Sequence, residues 1–238
     1  MHREFFRYAI PLTFGPPPTV GEDISLHVAS CVAVQFAEGQ FLISARHVVE
    51  PALAAVTTTG HDCLAGNVKL NLTPGEISLS ADALDVATIR LHPEQIPAIE
   101  QDGYLIMRPG EWPPPSLAPM DPILVAGFPG NWRRQIAWDT MDLPGTTKLG
   151  LVQTFGEREF ACQLDPAFVD QYTVEQGELS EDSLPGMSGG PALLVRHELV
   201  LTARLCGILK QAWSLGDGNR LLYFARLDKV AKDGTIAN

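Results

Sequence analysis

The sequence predicts an all-β protein made of two halves, and three observations predict it. Apolar residues come in short runs, each bounded by glycine, proline or a polar residue, and none holds a long 3.6-residue period. Glycine (21) and proline (19) are plentiful, as many short strands joined by turns require. A proline-rich stretch, Arg108 to Pro122 (RPGEWPPPSLAPMDP), interrupts the strand pattern near mid-chain. Proline withholds ladder donors and stiffens the backbone, so this stretch reads as a connector.

Taken in order, the N-terminal MHREFFRYAIPLTFGPPP has apolar runs broken by charge and proline. It lacks the continuous apolar region and small-residue cleavage site of a secretion signal. Ser25 to Val49 reads as a hairpin: HVASCVAVQF is rich in β-branched residues, Glu38-Gly39 turns the chain, and QFLISA returns. His47 closes that strand, and Pro51 limits further pairing. Further strand candidates are Asn67–Leu72, Ile77–Leu79, Val86–Leu91 and Tyr104–Met107 in the first half. The second half resumes with ILVAGFPG and continues through Leu149–Phe155, Phe160–Leu164, Ala192–Val195, Leu199–Leu209 and Leu221–Phe224. Leu227–Lys232 reads as a short terminal helix. The expected organisation is one domain of two β-rich halves: residues 20–107, a connector at 108–122, residues 123–226, and a tail at 227–238.

A length of 238 residues buries a sizeable core, and a composition 45% hydrophobic and 19% charged is globular. The net charge of −11 argues against nucleic acid as a partner. No apolar run approaches the ~18 residues that span a bilayer, so no membrane partner is expected. Cys31, Cys63, Cys162 and Cys206 lack metal-ligand spacing, so no metal and no organic cofactor is expected. Reduced thiols in a cytoplasmic setting are the simplest reading, although the even count leaves disulfides open.

The chemistry gathers at Leu184 to Leu194, LPGMSGGPALL. Ser188 stands between Gly186 and the pair Gly189-Gly190, whose freedom of backbone lets a hydroxyl stand exposed at a sharp turn. Such a turn can aim the N–H groups of Gly186 and Ser188 at one point, as an oxyanion hole requires. By itself the run reads equally as a structural turn. GMSGG also fits the G-x-S-x-G elbow of α/β-hydrolases, but that elbow needs an acid and then a histidine downstream. Only His197 follows Ser188, with Glu198 after it, so the elbow reading fails on chain order.

The order His, Asp, Ser finds His47 in ISARHVV and Asp85 in LDVATIRL. Here the chain resembles the trypsin/chymotrypsin-like serine peptidases, nearest to bacterial members without a secretion signal. Ser44-Ala45-Arg46-His47-Val48-Val49 is similar to the family's T-A-A-H-V-V, with Arg46 substituted. Asp85-Val86-Ala87-Thr88-Ile89 resembles D-[IV]-A-L-[IL] apart from Thr88, and Gly186-Met187-Ser188-Gly189-Gly190-Pro191 resembles G-D-S-G-G-P with Met187 for the acid. Gly127-Phe128-Pro129-Gly130 is similar to the G-[YF]-P turn of bacterial members.

The resemblance implies two six-stranded antiparallel β-barrels with the site in the cleft between them. Ser188 would be the nucleophile, His47 base then acid, and Asp85 the residue that orients His47. It also implies a serine endopeptidase acting on a protein or peptide substrate. An esterase on the same residues, or a catalytically idle fold serving as a binding or scaffold module, are the alternatives. In secreted trypsins the acid before the serine pairs with a freed N-terminus and orders the oxyanion hole. Met187 cannot, so packing or something else, a regulatory protein partner included, orders it here. The pair Asp182-Ser183, six and five residues before Ser188, matches the base of the trypsin pocket and implies cleavage after Arg or Lys. Glu178 and Glu181 instead suggest a solvated acidic face. Leu209-Lys210-Gln211 is expected to form the edge on which substrate backbone pairs. His27, His61, His92 and His197 read as structural or solvent-facing, Cys31 and Cys206 as small core residues, and Trp112 as linker packing.

Overall fold

The computed structural model describes residues 2–20, 23–81, 83–137, 139–164, 184–197, 201–216 and 219–237. A short helix α1 (His2–Phe6) leads into β1 (Ile10–Gly15), and the chain continues with β2 (His27–Gln35) and β3 (Gln40–Ala45). Helix α2 (Arg46–Thr59) follows directly, then β4 (Asp62–Ala65), β5 (Val68–Lys69), β6 (Ile77–Leu79), β7 (Val86–Arg90) and helix α3 (Gln95–Gln101). The second half holds β8 (Pro122–Gly127), β9 (Arg134–Ala137), β10 (Thr140–Asp142), β11 (Thr146–Phe155), β12 (Glu159–Leu164), β13 (Pro191–His197), β14 (Leu201–Gly216) and β15 (Asn219–Arg226).

The second half closes as expected: β11-β12-β15-β14-β13-β8 form a six-stranded barrel, every pair antiparallel. The first half differs from expectation. Its strands form an open seven-stranded sheet in the order β5-β4-β1-β2-β3-β7-β6. The edge strands β5 and β6 are two and three residues long, too short to carry a ladder across the gap. This sheet takes in Ile10–Gly15, ahead of the 20–107 span read from sequence. β1 is buried along its whole length because β2 and β4 flank it.

Alternation along β8 joins the two halves. Ile123 and Val125 point into the barrel core with Phe160, Phe224 and Met187, whereas Leu124 faces the first sheet's core. Leu193, Leu205 and Ile208 join Leu124 there, so the halves share one apolar core. Each terminus also crosses over: Phe6 packs on Phe128 with ring centroids 5.2 Å apart, and Thr88 Oγ1 donates to Gly234 O at 2.6 Å.

Two other elements depart from the sequence reading. His47 does not close a strand; it is the second residue of α2, which buries Val48, Val49 and Ala52 at helical spacing and ends on left-handed Gly60. Pro51 lies in the second turn, where it costs the His47 carbonyl a helical donor without ending the helix. Leu227–Lys232 is not a helix. Val230 bridges Ile236, Ala231 N–H donates to Thr235 O at 2.8 Å, and the Asp233 carboxylate accepts the Thr235 N–H at 3.0 Å. These local bonds outcompete a helix too short to nucleate. Met107 makes one bridge to Val34 where a strand over Tyr104–Met107 was expected. Arg108–Asp121 is irregular, and Trp112 packs on Phe36 while its indole N–H donates to Val230 O at 2.6 Å.

Candidate active site

α2 begins where β3 ends, and its first N–H groups have no partner within the helix. Asp85 supplies them. It sits just ahead of β7, whose pairing with β3 sets Ala45 opposite Val86. The Arg46 N–H donates to Asp85 O at 3.2 Å, and the His47 N–H donates to Asp85 Oδ1 at 2.9 Å. Asp85 Oδ2 meets His47 Nδ1 at 2.8 Å. One carboxylate therefore caps the helix with one oxygen and holds the ring with the other. An ionised carboxylate only accepts, so Nδ1 carries the proton and Nε2 is left as the acceptor. The Asp85 side chain is 14% exposed and that of His47 50%, so the ring is open to solvent while its anchor is sheltered.

Asp85 reaches this position with φ at +58°, a left-handed conformation that a short polar side chain tolerates better than most. Arg46 braces it: Nη1 donates to Ser80 O at 2.6 Å, and Ser80 Oγ accepts the Val86 N–H at 2.8 Å. Lys210 braces the same turn from the barrel. Its ammonium donates to Ala83 O and to Glu159 Oε2, each at 3.0 Å. The Lys210 side chain is thereby committed to the Asp85 turn. Leu209 buries its side chain in the barrel core and ties its backbone to the serine turn, accepting from Gly189 N–H at 2.8 Å and donating to Gly190 O at 2.9 Å. β13 leaves the β14 ladder at the Pro191–Ile208 pair, so beyond Leu209 that edge has no strand partner among the described residues.

Ser188 lies in the turn from Leu184 to Gly190, immediately before β13. Gly189, at φ +83°, is pressed so close to the first sheet that a Cβ would overlap Ser30 O and Ser44 Oγ and lie 3.0 Å from Ala45 N. The serine turn thus abuts the end of β3 that delivers His47. Its backbone is closely bonded. Met187 N–H donates to Leu184 O at 3.1 Å, Gly190 N–H to Met187 O at 2.9 Å, and Ser30 N–H to Ser188 O at 2.9 Å. The N–H groups of Gly186 and Ser188 donate to nothing among the described residues. A trans peptide points its C=O and N–H in opposite directions. Pro185 O is held by Gly130 N–H at 2.7 Å, so the Gly186 N–H faces away from Gly130. Met187 is fully buried in the barrel core, anchoring the turn by packing where a charge was absent. The Ser188 hydroxyl makes no hydrogen bond among the described residues, to His47 included; such contacts are commonly long without substrate.

Asp182 and Ser183, expected at the pocket base, and the acidic Glu178 and Glu181 lie outside the described residues. Sequence reasoning missed Ser30, whose three polar groups make four hydrogen bonds around the serine turn; the available signal was one hydroxyl within the apolar run HVASCVAV. It also missed the bracing roles of Arg46 and Lys210. All four cysteines are free and buried. Among the described residues no helix is long and apolar enough to cross a membrane.

No family model matches the sequence, and no curated protein matches it. Solved structures do. A thermostable serine protease from an extremophilic microorganism is 11% identical, with a TM-score of 0.50 over 94% of this chain and 92% of that one. The human heparin binding protein is 10% identical, with a TM-score of 0.50 over 94% of this chain and 87% of that one. Identities this low speak to architecture, and the architecture is that of the trypsin/chymotrypsin-like serine proteases, here with one half closed as a barrel and the other left as an open sheet.

Proposed function

We propose that this protein is a serine endopeptidase. The observation that carries the reading is the 2.8 Å contact of His47 Nδ1 with Asp85 Oδ2, beside a serine turn whose Gly186 and Ser188 N–H groups have no acceptor among the described residues. His47 Nε2 takes the proton of Ser188 Oγ as that oxygen attacks the scissile carbonyl, and the two N–H groups receive the negative charge on the carbonyl oxygen. His47 then gives the proton to the leaving amine, and water repeats the cycle to free the acyl group. Asp85 keeps the ring oriented and stabilises its charged form. The open edge of β14 beyond Leu209 pairs with the backbone of an extended peptide. The sequence pair Asp182-Ser183 supports a substrate with Arg or Lys at the cleaved bond, whose charge the Asp182 carboxylate receives, and the setting is cytoplasmic, where the four thiols stay reduced.

A peptide-library profile of wild type, Ser188→Ala and Asp182→Ser tests this. The expected result is cleavage after Arg or Lys by wild type, none by Ser188→Ala, and loss of the basic preference in Asp182→Ser. Equal cleavage by Ser188→Ala would overturn the reading. The Ser188 hydroxyl, without a hydrogen bond among the described residues, favours one alternative, an idle protease fold used as a binding module, for which wild type would cleave nothing in the library.

A further inference from the structure

Ser30 lies in the middle of β2, fully buried, with an apolar residue on either side. A hydroxyl in such a place is costly unless bonded, and here every polar group of the residue is used. Ser30 N–H donates to Ser188 O at 2.9 Å. Ser30 O accepts from Ser44 Oγ at 2.8 Å. The hydroxyl accepts the Phe128 N–H at 3.0 Å and donates to Gly186 O at 3.0 Å. Three segments meet on this one residue: the serine turn, the end of β3 leading to His47, and the turn that follows β8.

The bond to Gly186 O matters most. Gly186 sits at φ +97° and has no Cβ to restrict it, so nothing intrinsic fixes the two peptides that flank its Cα. Gly130 N–H pins the peptide before it, through Pro185 O at 2.7 Å. The Ser30 hydroxyl pins the peptide after it. The Phe128 N–H occupies an acceptor site on that hydroxyl, so its single proton is directed at Gly186 O.

We propose that Ser30 is a positioning residue for the oxyanion turn: its hydroxyl, held by Phe128, fixes the Gly186–Met187 peptide, the link between the Gly186 N–H that Gly130 already orients and the Ser188 N–H, and thereby sets the two donors relative to one another. The inference rests on the reading of Ser188 as nucleophile. Ser30 itself touches no reacting atom; it acts through Gly186. Losing it leaves the binding surface in place and loosens one donor for the developing charge. The loss therefore falls on kcat rather than KM.

The test compares wild type, Ser30→Ala and Ser30→Cys, each assayed per folded protein as fixed by its thermal unfolding transition. Hydrolysis of p-nitrophenyl acetate gives kcat and KM, and a fluorophosphonate probe gives the rate of Ser188 phosphonylation. Removing an oxyanion donor outright costs roughly 100- to 1,000-fold, so loosening one is expected to cost about 10- to 100-fold in kcat and in phosphonylation rate. KM should stay within about twofold, because ground-state binding is untouched. Ser30→Cys, a near-isostere with a weaker donor, should fall between the two, and it carries the comparison with wild type should the alanine variant not fold. Folded Ser30 variants with wild-type kcat and labelling, or with a loss confined to KM, would overturn the role. A wild type that takes no label at Ser188 would instead overturn the underlying function, and is told apart by failing before any Ser30 variant is compared.

Discussion

The two carboxylate oxygens of Asp85 are both spent on His47, one on its backbone N–H at 2.9 Å and one on its ring at 2.8 Å. The residue is at once the cap of helix α2 and the anchor of the proposed base. Stability and activity should therefore be coupled here.

Asp85→Asn separates the groups. An amide has one accepting end, while both His47 groups donate to this side chain, so one of them must face an NH2. If the ring keeps the oxygen, the helix loses its cap; if the helix keeps it, the ring turns to the wrong tautomer. Turnover of a peptide substrate should fall by several orders of magnitude, and urea unfolding should show a loss of about 1 kcal/mol, the usual worth of a helix cap. Unchanged stability together with unchanged turnover would mean that neither bond matters.

β1 should prove indispensable. It lies between β2 and β4 and is buried along its length, and Phe6 ahead of it packs on Phe128 in the other half. Removing residues 1–16 would strip two strands of a partner and expose their ladder groups. The truncated chain is expected to lose its cooperative thermal transition, and full-length protein to be active without trimming. Activity that appears only after cleavage between Thr19 and Ile24 would contradict this.

What the sequence made legible, and what it did not, follows from how local each signal is. The strands of the second half were readable because short apolar runs such as Ile123–Ala126 in β8 and Phe160–Cys162 in β12 are written within a few residues. α2 was not, because Pro51 resembles a terminator and the helical spacing of Val48, Val49 and Ala52 lies around it. β1 was hidden by the prolines and glycine at its ends. That the first half stays open depends on the shortness of β5 and β6, which no motif announces. At the site, His47 and Asp85 were found through flanking residues that resemble a family, and the structure brings them into contact. Ser30 escaped because three of its four partners are 98 to 158 residues away in sequence, at Phe128, Gly186 and Ser188.

Alkaline pH should destabilise the fold through its thiols. Burial pushes Cys63 and Cys206 up to about 12 and raises Cys31 and Cys162 well above the ordinary thiol value of 9.0. Above pH 9 an unfolded thiol releases its proton while the folded one keeps it, so stability falls as pH rises, by up to ~1.4 kcal/mol per pH unit for each thiol. Lys148 works the other way. Burial first, and Arg220 second, lower it to about 8 from 10.5, so between those values the unfolded chain binds the extra proton and stability rises with pH. One amine opposes four thiols. The melting temperature should hold or rise slightly from pH 8 to 9 and then fall steeply toward pH 11, and Cys63→Ala should make that fall shallower. A melting temperature still rising at pH 10 would contradict the assignment.

The central claim, that Ser188 is a nucleophile activated by His47, is tested most directly by mass spectrometry of the protein after exposure to a fluorophosphonate probe. The expected result is one adduct per chain, on the peptide that carries Ser188, absent in Ser188→Ala and formed far more slowly in His47→Ala. A folded wild type that takes no adduct, or an adduct that survives Ser188→Ala, would contradict it.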